Sequence, residues 1–346
     1  ACLYALNTLT ATMVEYEKNS TVTVGNITIK DQSSAKDMAN TGKTDGKIFK
    51  ADGKMQFAEK YFDNLSVTKG SDDFARPANV WKLKAEKIGT YADTADLTYT
   101  KSVDVCDIYK DLGLGSKIEK KDVSVYVDGV VDPENKIVPV AITKDNDDDS
   151  YGANGVLTEV FYDDDADTVT ITKVNTYIGS INKTVKATDK KDAYVVVTAE
   201  GPVPVQGFDN EFETDDKFAD DDYVLYTYSL TAKEIKSVEA AKKVEGTVTV
   251  AENSKTDLDE KKALTIDGTR YKAAVKVGGE DIGEVSVKQD YTIYLDSYGY
   301  MIYVEEQEEV GDYALILNIK GGSDWYLGNR VELLFTDGTT KIVTTD

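Results

Sequence analysis

Residues 291–304, YTIYLDSYGYMIYV, have the pattern of two short strands around a tight turn, and this pattern favours a β-rich fold. Tyr291, Ile293 and Leu295 occupy alternate positions, so their side chains lie on one face of the first predicted strand. Residues 297–299, with glycine as the last, predict the turn before the return strand. The stretch therefore predicts an aromatic-rich β-hairpin, and we searched the flanking sequence for others.

Asp-Gly pairs are the second hairpin signal. Asp-Gly is favoured in two-residue hairpin turns because both central positions need a positive φ. Three of the five pairs lie between apolar strand formers, in VSVYVDGVV (123–131), ALTIDGTRYK (263–272) and ELLFTDGTTKIV (332–343). The other two, at 45–46 and 52–53, lie in a polar part of the chain. EGPVPVQG (200–207) predicts a bend between strands or modules.

Helical periodicity is confined to short parts of the chain. Apolar residues alternate at four-three spacing over residues 2–16, which predicts an amphipathic helix, and a second short helix is predicted within residues 54–65. The sequence as a whole predicts a mainly β fold of tandem sandwich-like or barrel-like modules behind this helix. We expect a helix over 1–18 and β modules over 19–148, 149–238 and 239–346. The seams fall at the acidic run 145–155 and at 231–243, although the latter segment has enough Ala and Lys to form a short helix.

Charge limits the class of partner. The 346 residues include 63 acidic and 40 basic side chains, for a formal net charge of −23. This balance repels phosphate backbones and anionic lipid, so we expect no binding to nucleic acid and no membrane insertion. No stretch has the roughly 20 apolar residues of a membrane helix. The chain begins within a predicted helix and ends after a predicted strand, so we expect it to be a fragment, with any export signal upstream.

The chain has no histidine, which excludes Ser-His-Asp and Cys-His nucleophiles and histidine-based zinc sites. A pair of carboxylates could still hydrolyse glycosides, but acids are so abundant that their spacing is uninformative. We therefore expect no enzyme. Cys2 and Cys106 are too far apart for a disulfide scaffold or metal-ligand spacing. Cys2 falls on the apolar face of the predicted helix and is expected to be buried, whereas Cys106 is undecided.

Two aspartate runs are candidate calcium sites. Asp145, Asp147 and Asp149 occupy alternate positions, as do Asp163, Asp165 and Asp167. Ca²⁺ takes six to eight oxygen ligands, and carboxylates at positions 1, 3 and 5 of a tight loop supply the first of them. Neither run has the glycine at position 6 or the glutamate at position 12 of an EF-hand. The alternative is that both runs are solvated turn tips that discourage edge-to-edge pairing of strands.

Aromatic residues suggest a candidate ligand or contact surface. The 22 tyrosines are mostly expected to be ordinary sheet residues, although exposed rows of tyrosine could bind sugars or neighbouring subunits. GGSDWYLGNR (321–330) contains the best candidate anchors, Trp325, Tyr326 and Arg330. Trp81 is a second candidate anchor. The alternative for Trp325 is burial in a core, which is where most tryptophan lies.

Several segments together resemble those of surface proteins of anaerobic Gram-positive bacteria that carry S-layer homology (SLH) domains. LYALNTLTATMVEY (3–16) resembles the terminal helix of a run of SLH domains, and DDFARPANVWKLKAEKIGTY (72–91) resembles the segment that follows it. Four further segments resemble the β modules that lie downstream in those proteins. They are GVLTEVFYDDDADTVTITKVNTYIG (155–179), FADDDYVLYTYS (218–229), LTIDGTRYK (264–272) and YTIYLDSYGYMIYVEE (291–306).

The resemblance implies a secreted, wall-associated structural protein at the cell surface, as part of an S-layer or attached to the wall, with no reaction and no organic cofactor. Its expected partners are further copies of itself or neighbouring surface proteins, with divalent cations damping the repulsion between acidic chains. Binding to cell-wall glycan would depend on SLH domains that this chain lacks. The alternative function is that of a surface adhesin, which recognises glycan or host protein through exposed aromatic residues.

Overall fold

A computed structural model describes residues 2–16, 21–30, 35–49, 51–131, 138–253, 261–275, 282, 285–306, 314–320, 329–335 and 338–345. Within these ranges the chain is mainly β, which confirms the predicted fold class. The described helices are all short: α1 Cys2–Thr10, α2 Phe57–Tyr61, α3 Val105–Asp111 and a single 3₁₀ turn, Lys120–Asp122. Five larger sheets, which we call sheets I to V in chain order, account for most of the fold.

The N-terminal segment differs from the prediction of a helix over residues 2–16. Helix α1 ends at Thr10, and strand β1 (Val14–Tyr16) follows it and pairs with β4 (Ala35–Asp37). Between them, β2 (Thr21–Val24) and β3 (Ile27–Lys30) form a hairpin. The β-branched residues of TLTATMV explain the early end, since they lower helix propensity. Much of the predicted apolar face is exposed, including Leu6 and Tyr16, and the side chain of Cys2 lies outside the described residues.

Sheet I has three antiparallel strands: β5 Leu65–Ser71, β6 Pro77–Leu83 and β7 Glu86–Ala92. Trp81 of β6 is only 5% exposed and packs with Ile48, Ala58, Leu65 and Val67. Its ring meets that of Phe49 edge to face, with 6.1 Å between the centroids. Trp81 is therefore a core residue, and the prediction that it could be an exposed anchor is wrong. Leu9 of α1 packs against the same cluster.

Sheet II has the order β11-β10-β14-β13-β8 and includes one parallel pair, β10 with β14. Helix α3 packs Val105 and Ile108 into its core. The predicted boundary between residues 148 and 149 falls between strands of this sheet, and the domain division itself stays a prediction. The strands of sheet II are β8 Leu97–Tyr99, β10 Val123–Val127, β11 Val130–Val131, β13 Leu157–Asp163 and β14 Thr168–Val174. A separate small pair is formed by β9 Val103–Asp104 and β12 Ser150–Tyr151.

Sheet III consists of β15 Tyr177–Val185, β16 Tyr194–Ala199, β17 Glu211–Glu213, β18 Tyr223–Ser229 and β19 Glu234–Ala240. The order is β17-β16-β15-β18-β19, with every pair antiparallel. The edge strands β17 and β19 approach each other and nearly close the sheet into a barrel around Val197, Val224 and Tyr226. The segment 231–243 contains β19, so the alternative of a short helix there is wrong. The predicted bend at 200–207 lies between β16 and β17.

Sheet IV contains the predicted hairpin of residues 291–304. Its strands are β20 Lys242–Asn253, β21 Lys261–Ile266, β22 Thr269–Lys272, β23 Asp290–Leu295 and β24 Met301–Glu306, in the order β22-β21-β20-β23-β24. Tyr291, Ile293 and Leu295 share the core of this sheet, as predicted. Sheet V is a meander of β25 Ala314–Lys320, β26 Asn329–Phe335 and β27 Thr340–Thr345, and none of its described side chains is buried.

The two predicted Asp-Gly hairpin turns that are fully described, at 128–129 and 267–268, are confirmed. Asp128 and Gly129 have φ values of 48° and 93°, and Asp267 and Gly268 have 48° and 80°. These positive values belong to the two-residue hairpin turns that join β10 to β11 and β21 to β22. Gly338 has a φ of 82° between β26 and β27, whereas Asp337 lies outside the described residues.

Candidate functional site

The first predicted calcium run lies in an exposed loop that supports helix α3. The carbonyl oxygen atoms of Asn146 and Asp149 accept hydrogen bonds from the amide groups of Cys106 and Val105, at 2.8 and 3.0 Å. Asn146 also donates from its side chain to the Asp149 carboxylate at 2.9 Å. These contacts satisfy the free amide groups of the first helical turn. Asp145 and Asp147 are exposed in the same loop.

The second run forms the turn between β13 and β14. Asp163 Oδ1 accepts hydrogen bonds from the amide groups of Asp165 and Ala166, at 3.1 and 3.0 Å. Asp167, with a φ of 55°, accepts a hydrogen bond from the Tyr162 hydroxyl group. Across the described ranges, no three acidic or cysteine side chains are placed to hold a metal ion together. The described arrangement therefore explains these aspartates as turn formers, and calcium binding stays a prediction.

The predicted aromatic anchor loop is only partly described. Trp325 and Tyr326 lie within 321–328, outside the described residues. Arg330 is exposed on β26, opposite Lys320 of β25 and Thr344 of β27. Cys106, at the start of α3, is a half-buried free thiol.

A buried carboxylate connects sheet II to sheet III. Asp128, in the turn between β10 and β11, is 1% exposed. Its two carboxylate oxygens accept hydrogen bonds from the amide group of Asn175, the side chain of Asn175 and the hydroxyl group of Tyr177, all at 2.8 Å. The backbone of Leu230, in the turn after β18, donates to the Asp128 carbonyl group at 2.8 Å. Burial raises the pKa of the Asp128 carboxyl group, while the three hydrogen bonds act in the opposite direction.

The loop 72–76 of sheet I meets both neighbouring sheets at the same junction. The carbonyl oxygen of Asp73 accepts a 2.6 Å hydrogen bond from Ser229, and its carboxylate pairs with Lys236 at 2.8 Å. Arg76 Nε lies 3.0 Å from the carboxylate of Glu159 in β13, with both side chains largely buried. Burial raises the pKa of Glu159, although the charge of Arg76 opposes that shift. The loop thus contacts sheet II through Arg76 and sheet III through Asp73.

Tyrosines form the contact between sheets III and IV. The rings of Tyr223 and Tyr294 stack with centroids 4.2 Å apart, and Tyr303 stacks on Tyr223 at 5.4 Å. Glu305 accepts hydrogen bonds from the hydroxyl groups of Tyr223 and Tyr294, the latter at 3.0 Å. Burial raises the pKa of both hydroxyl groups, and their bonds to Glu305 raise it further. Ile178, Leu225 and Ile302 complete a buried cluster with Tyr294.

The turn at the tip of the β23–β24 hairpin contacts sheets II and III. Asp296 Oδ1 accepts hydrogen bonds from the amide groups of Tyr298 and Tyr300, at 2.9 and 2.8 Å. Asp296 Oδ2 is buried near Gly155 of sheet II and has no hydrogen-bond partner among the described residues. Burial raises the pKa of this carboxyl group. Ser297 donates a hydrogen bond to Glu239 of β19.

A groove of about 410 Å³ lies at the seam of sheet III, between the edge strands β17 and β19. Phe212 and Ile235 contribute apolar surface and belong to the adjoining core. The other side chains that line it are polar, namely Lys191, Tyr194, Asp209, Glu211, Glu213, Glu234 and Lys236. Neither this groove nor the junctions can be predicted from local sequence patterns, because their residues come from strands that are distant in the sequence.

The chain matches no protein-family model, no curated protein and no solved structure. Among the described helices, none has the length and apolar character needed to cross a membrane.

Proposed function

We propose that this chain is a structural protein of a bacterial cell surface, in which β modules act as a stiff spacer or as lattice subunits. Its partners would be further copies of itself or neighbouring proteins of an S-layer or cell wall. The proposal places the chain outside the cell, and the high negative charge would keep a crowded surface array soluble.

The observation that carries the proposal is the set of buried and half-buried polar contacts between sheets. Asp128 connects sheets II and III, and Glu305 connects sheets III and IV through two tyrosines. A buried carboxylate that loses its partners is costly, so such contacts oppose separation of the sheets. Modules joined in this way transmit force and hold a fixed spacing, which is what a surface scaffold requires.

Small-angle X-ray scattering tests the spacer function. We expect the profile of one rigid body for the segment that contains sheets II to IV, and a profile that changes little with ionic strength. A profile that fits only a chain of independently moving modules would overturn the proposal. Immunogold labelling of the producing cells tests the location, and labelling confined to the cytoplasm would contradict it.

Electron microscopy of the purified chain, first with calcium and then with chelator, tests lattice formation. Ordered sheets, tubes or filaments that dissolve in chelator would support a lattice held by divalent cations. Asp163→Asn combined with Asp165→Asn should then weaken the assembly if that run binds the cation. Monodisperse particles under both conditions would rule out assembly by this chain alone and leave the spacer function. The adhesin alternative depends on Trp325 and Tyr326 and stays a prediction.

A further inference from the structure

The groove at the seam of sheet III has an excess of acidic side chains. Four carboxylates line it, from Asp209, Glu211, Glu213 and Glu234, against two ammonium groups. Lys191 pairs with Glu211 at 2.7 Å, and Lys236 pairs with Glu234 at 2.7 Å and with Asp73 at 2.8 Å. Both cations are therefore already neutralised by neighbouring carboxylates.

Two of the four carboxylates, those of Asp209 and Glu213, form no close ion pair in the part of the chain that is described, although the charge of Glu213 contributes to the raised pKa of Lys191. Within that part, the Glu213 side chain forms no hydrogen bond or ion pair, and Asp209 accepts a hydrogen bond from the amide group of Glu211 at 3.2 Å. Since the two lysines pair with Glu211 and Glu234, two carboxylates of the groove are left in excess, and the groove presents net negative charge beside the apolar side chains of Phe212 and Ile235.

Lys191 shows how this environment holds an alkylammonium group. Its Nζ atom lies 3.6 Å from the centroid of the Tyr194 ring and 2.7 Å from Glu211. An aromatic face together with a carboxylate is a favourable setting for a primary ammonium group. The hydrogen bond to Glu211 raises the pKa of Lys191, which keeps its side chain charged.

We propose that this groove is a docking site for a lysine-bearing polypeptide segment. The ammonium group of the incoming lysine pairs with Glu213 and Asp209, and its aliphatic stem lies against Phe212 and Ile235. Charge complementarity selects this occupant over an acidic one. A sugar ring would need a free aromatic face, but Lys191 covers one face of Tyr194, and Phe212 packs against the core. The site is independent of the structural role proposed above.

The test uses the full chain and a fluorescein-labelled octapeptide of alternating lysine and valine, with binding followed by fluorescence anisotropy at physiological salt. We expect saturable binding that is lost when the lysines of the probe are acetylated. Glu213→Gln combined with Asp209→Asn should weaken binding about tenfold, because two charge pairs across the interface are removed. Both residues lie on the surface, and circular dichroism would verify that the variant is folded.

A control variant separates this groove from the general attraction of an acidic chain for a basic peptide. Glu86→Gln combined with Asp164→Asn makes the same chemical changes at exposed positions away from the groove, and it should leave the dissociation constant unchanged. Equal weakening by both variants, or no binding of the lysine peptide, would overturn the proposal. So would binding of chitotetraose that is lost in the groove variant, since it would identify a glycan site.

Discussion

The hydroxyl group of Tyr177 donates a 2.8 Å hydrogen bond to the buried carboxylate of Asp128, and this bond joins the first strand of sheet III to a hairpin turn of sheet II. Asn175 adds two further hydrogen bonds to the same carboxylate. These three hydrogen bonds, together with the charge of Lys173, oppose the effect of burial on the pKa of the Asp128 carboxyl group. This side chain and the hydrogen bond from the Leu230 amide group to the Asp128 carbonyl oxygen together hold the turn against sheet III.

Asp128→Asn should lower the free energy of unfolding by about 1–3 kcal/mol, because the new amide group faces donors and leaves buried partners unsatisfied. Asp267→Asn is the matched control, since Asp267 has the same φ of 48° in an equivalent turn but is exposed. It should change stability by no more than about 0.5 kcal/mol. Urea denaturation measures both values, and equal effects would show that the Asp128 contacts contribute nothing.

Gly129→Ala should destabilise the protein more than the equivalent change in the other turn. A Cβ atom at Gly129 would lie 2.1 Å from the carbonyl oxygen of Asp73, whereas one at Gly268 would have nothing within 4 Å. Both positions have positive φ, so Gly268→Ala should cost only the backbone penalty of about 1–2 kcal/mol. The clash at Gly129 should add about 1–3 kcal/mol. Thermal unfolding of the two variants measures the difference, and similar melting temperatures would contradict the close approach of the loop 72–76.

The hairpins could be predicted from sequence because their signals are local. Asp-Gly turns and alternating apolar residues require only a few neighbouring positions, and the hairpins at 128–129, 267–268 and 291–304 form as predicted. Apolar periodicity alone predicts a helix over residues 2–16, which is longer than the helix that forms, Cys2–Thr10. Pairing of Val14–Tyr16 with Ala35–Asp37 replaces its second half, and that pairing depends on a partner segment further along the chain.

The junctions and the groove could not be predicted in this way. Asp128 and its partners Asn175 and Tyr177 are separated by more than 40 positions and meet because β10 pairs in parallel with β14. In sequence, Asp128 is indistinguishable from Asp267, which is exposed in its own turn. The groove likewise brings β16, β17 and β19 together, and only the near closure of sheet III does so.

Glu305→Gln should loosen the contact between sheets III and IV. An amide group can accept only one of the two tyrosine hydrogen bonds, so a loss of about 1–2 kcal/mol in the free energy of unfolding is expected. Glu306→Gln, at the exposed neighbouring position, is the matched control and should have little effect. Hydrogen exchange of the β18 and β23 amide groups would locate the change. Unaltered protection in the Glu305 variant would mean that the apolar cluster alone holds the two sheets together.

Stability should increase as the pH falls from neutral towards the ordinary carboxyl range. Burial raises the pKa values of Asp128, Glu159 and Asp296 above their ordinary values of 3.8, 4.5 and 3.8. The folded protein therefore takes up protons at a higher pH than the unfolded chain does, and the free energy of unfolding rises as the pH falls through the raised pKa values. The gain is complete below the ordinary values and is lost as the pH rises again.

Neutralisation of surface acids contributes to stability in the same direction, so the contribution of the buried groups has to be isolated by substitution. Asp296→Asn removes the carboxyl group whose Oδ2 has no described partner, and it should flatten the dependence of the melting temperature on pH. Asp267→Asn removes an exposed charge and should leave that dependence almost unchanged. Differential scanning calorimetry over a series of pH values from neutral towards the ordinary carboxyl range measures both. A melting temperature that falls on acidification, or equal slopes in the two variants, would mean that the buried carboxyl groups keep their charge when the protein is folded.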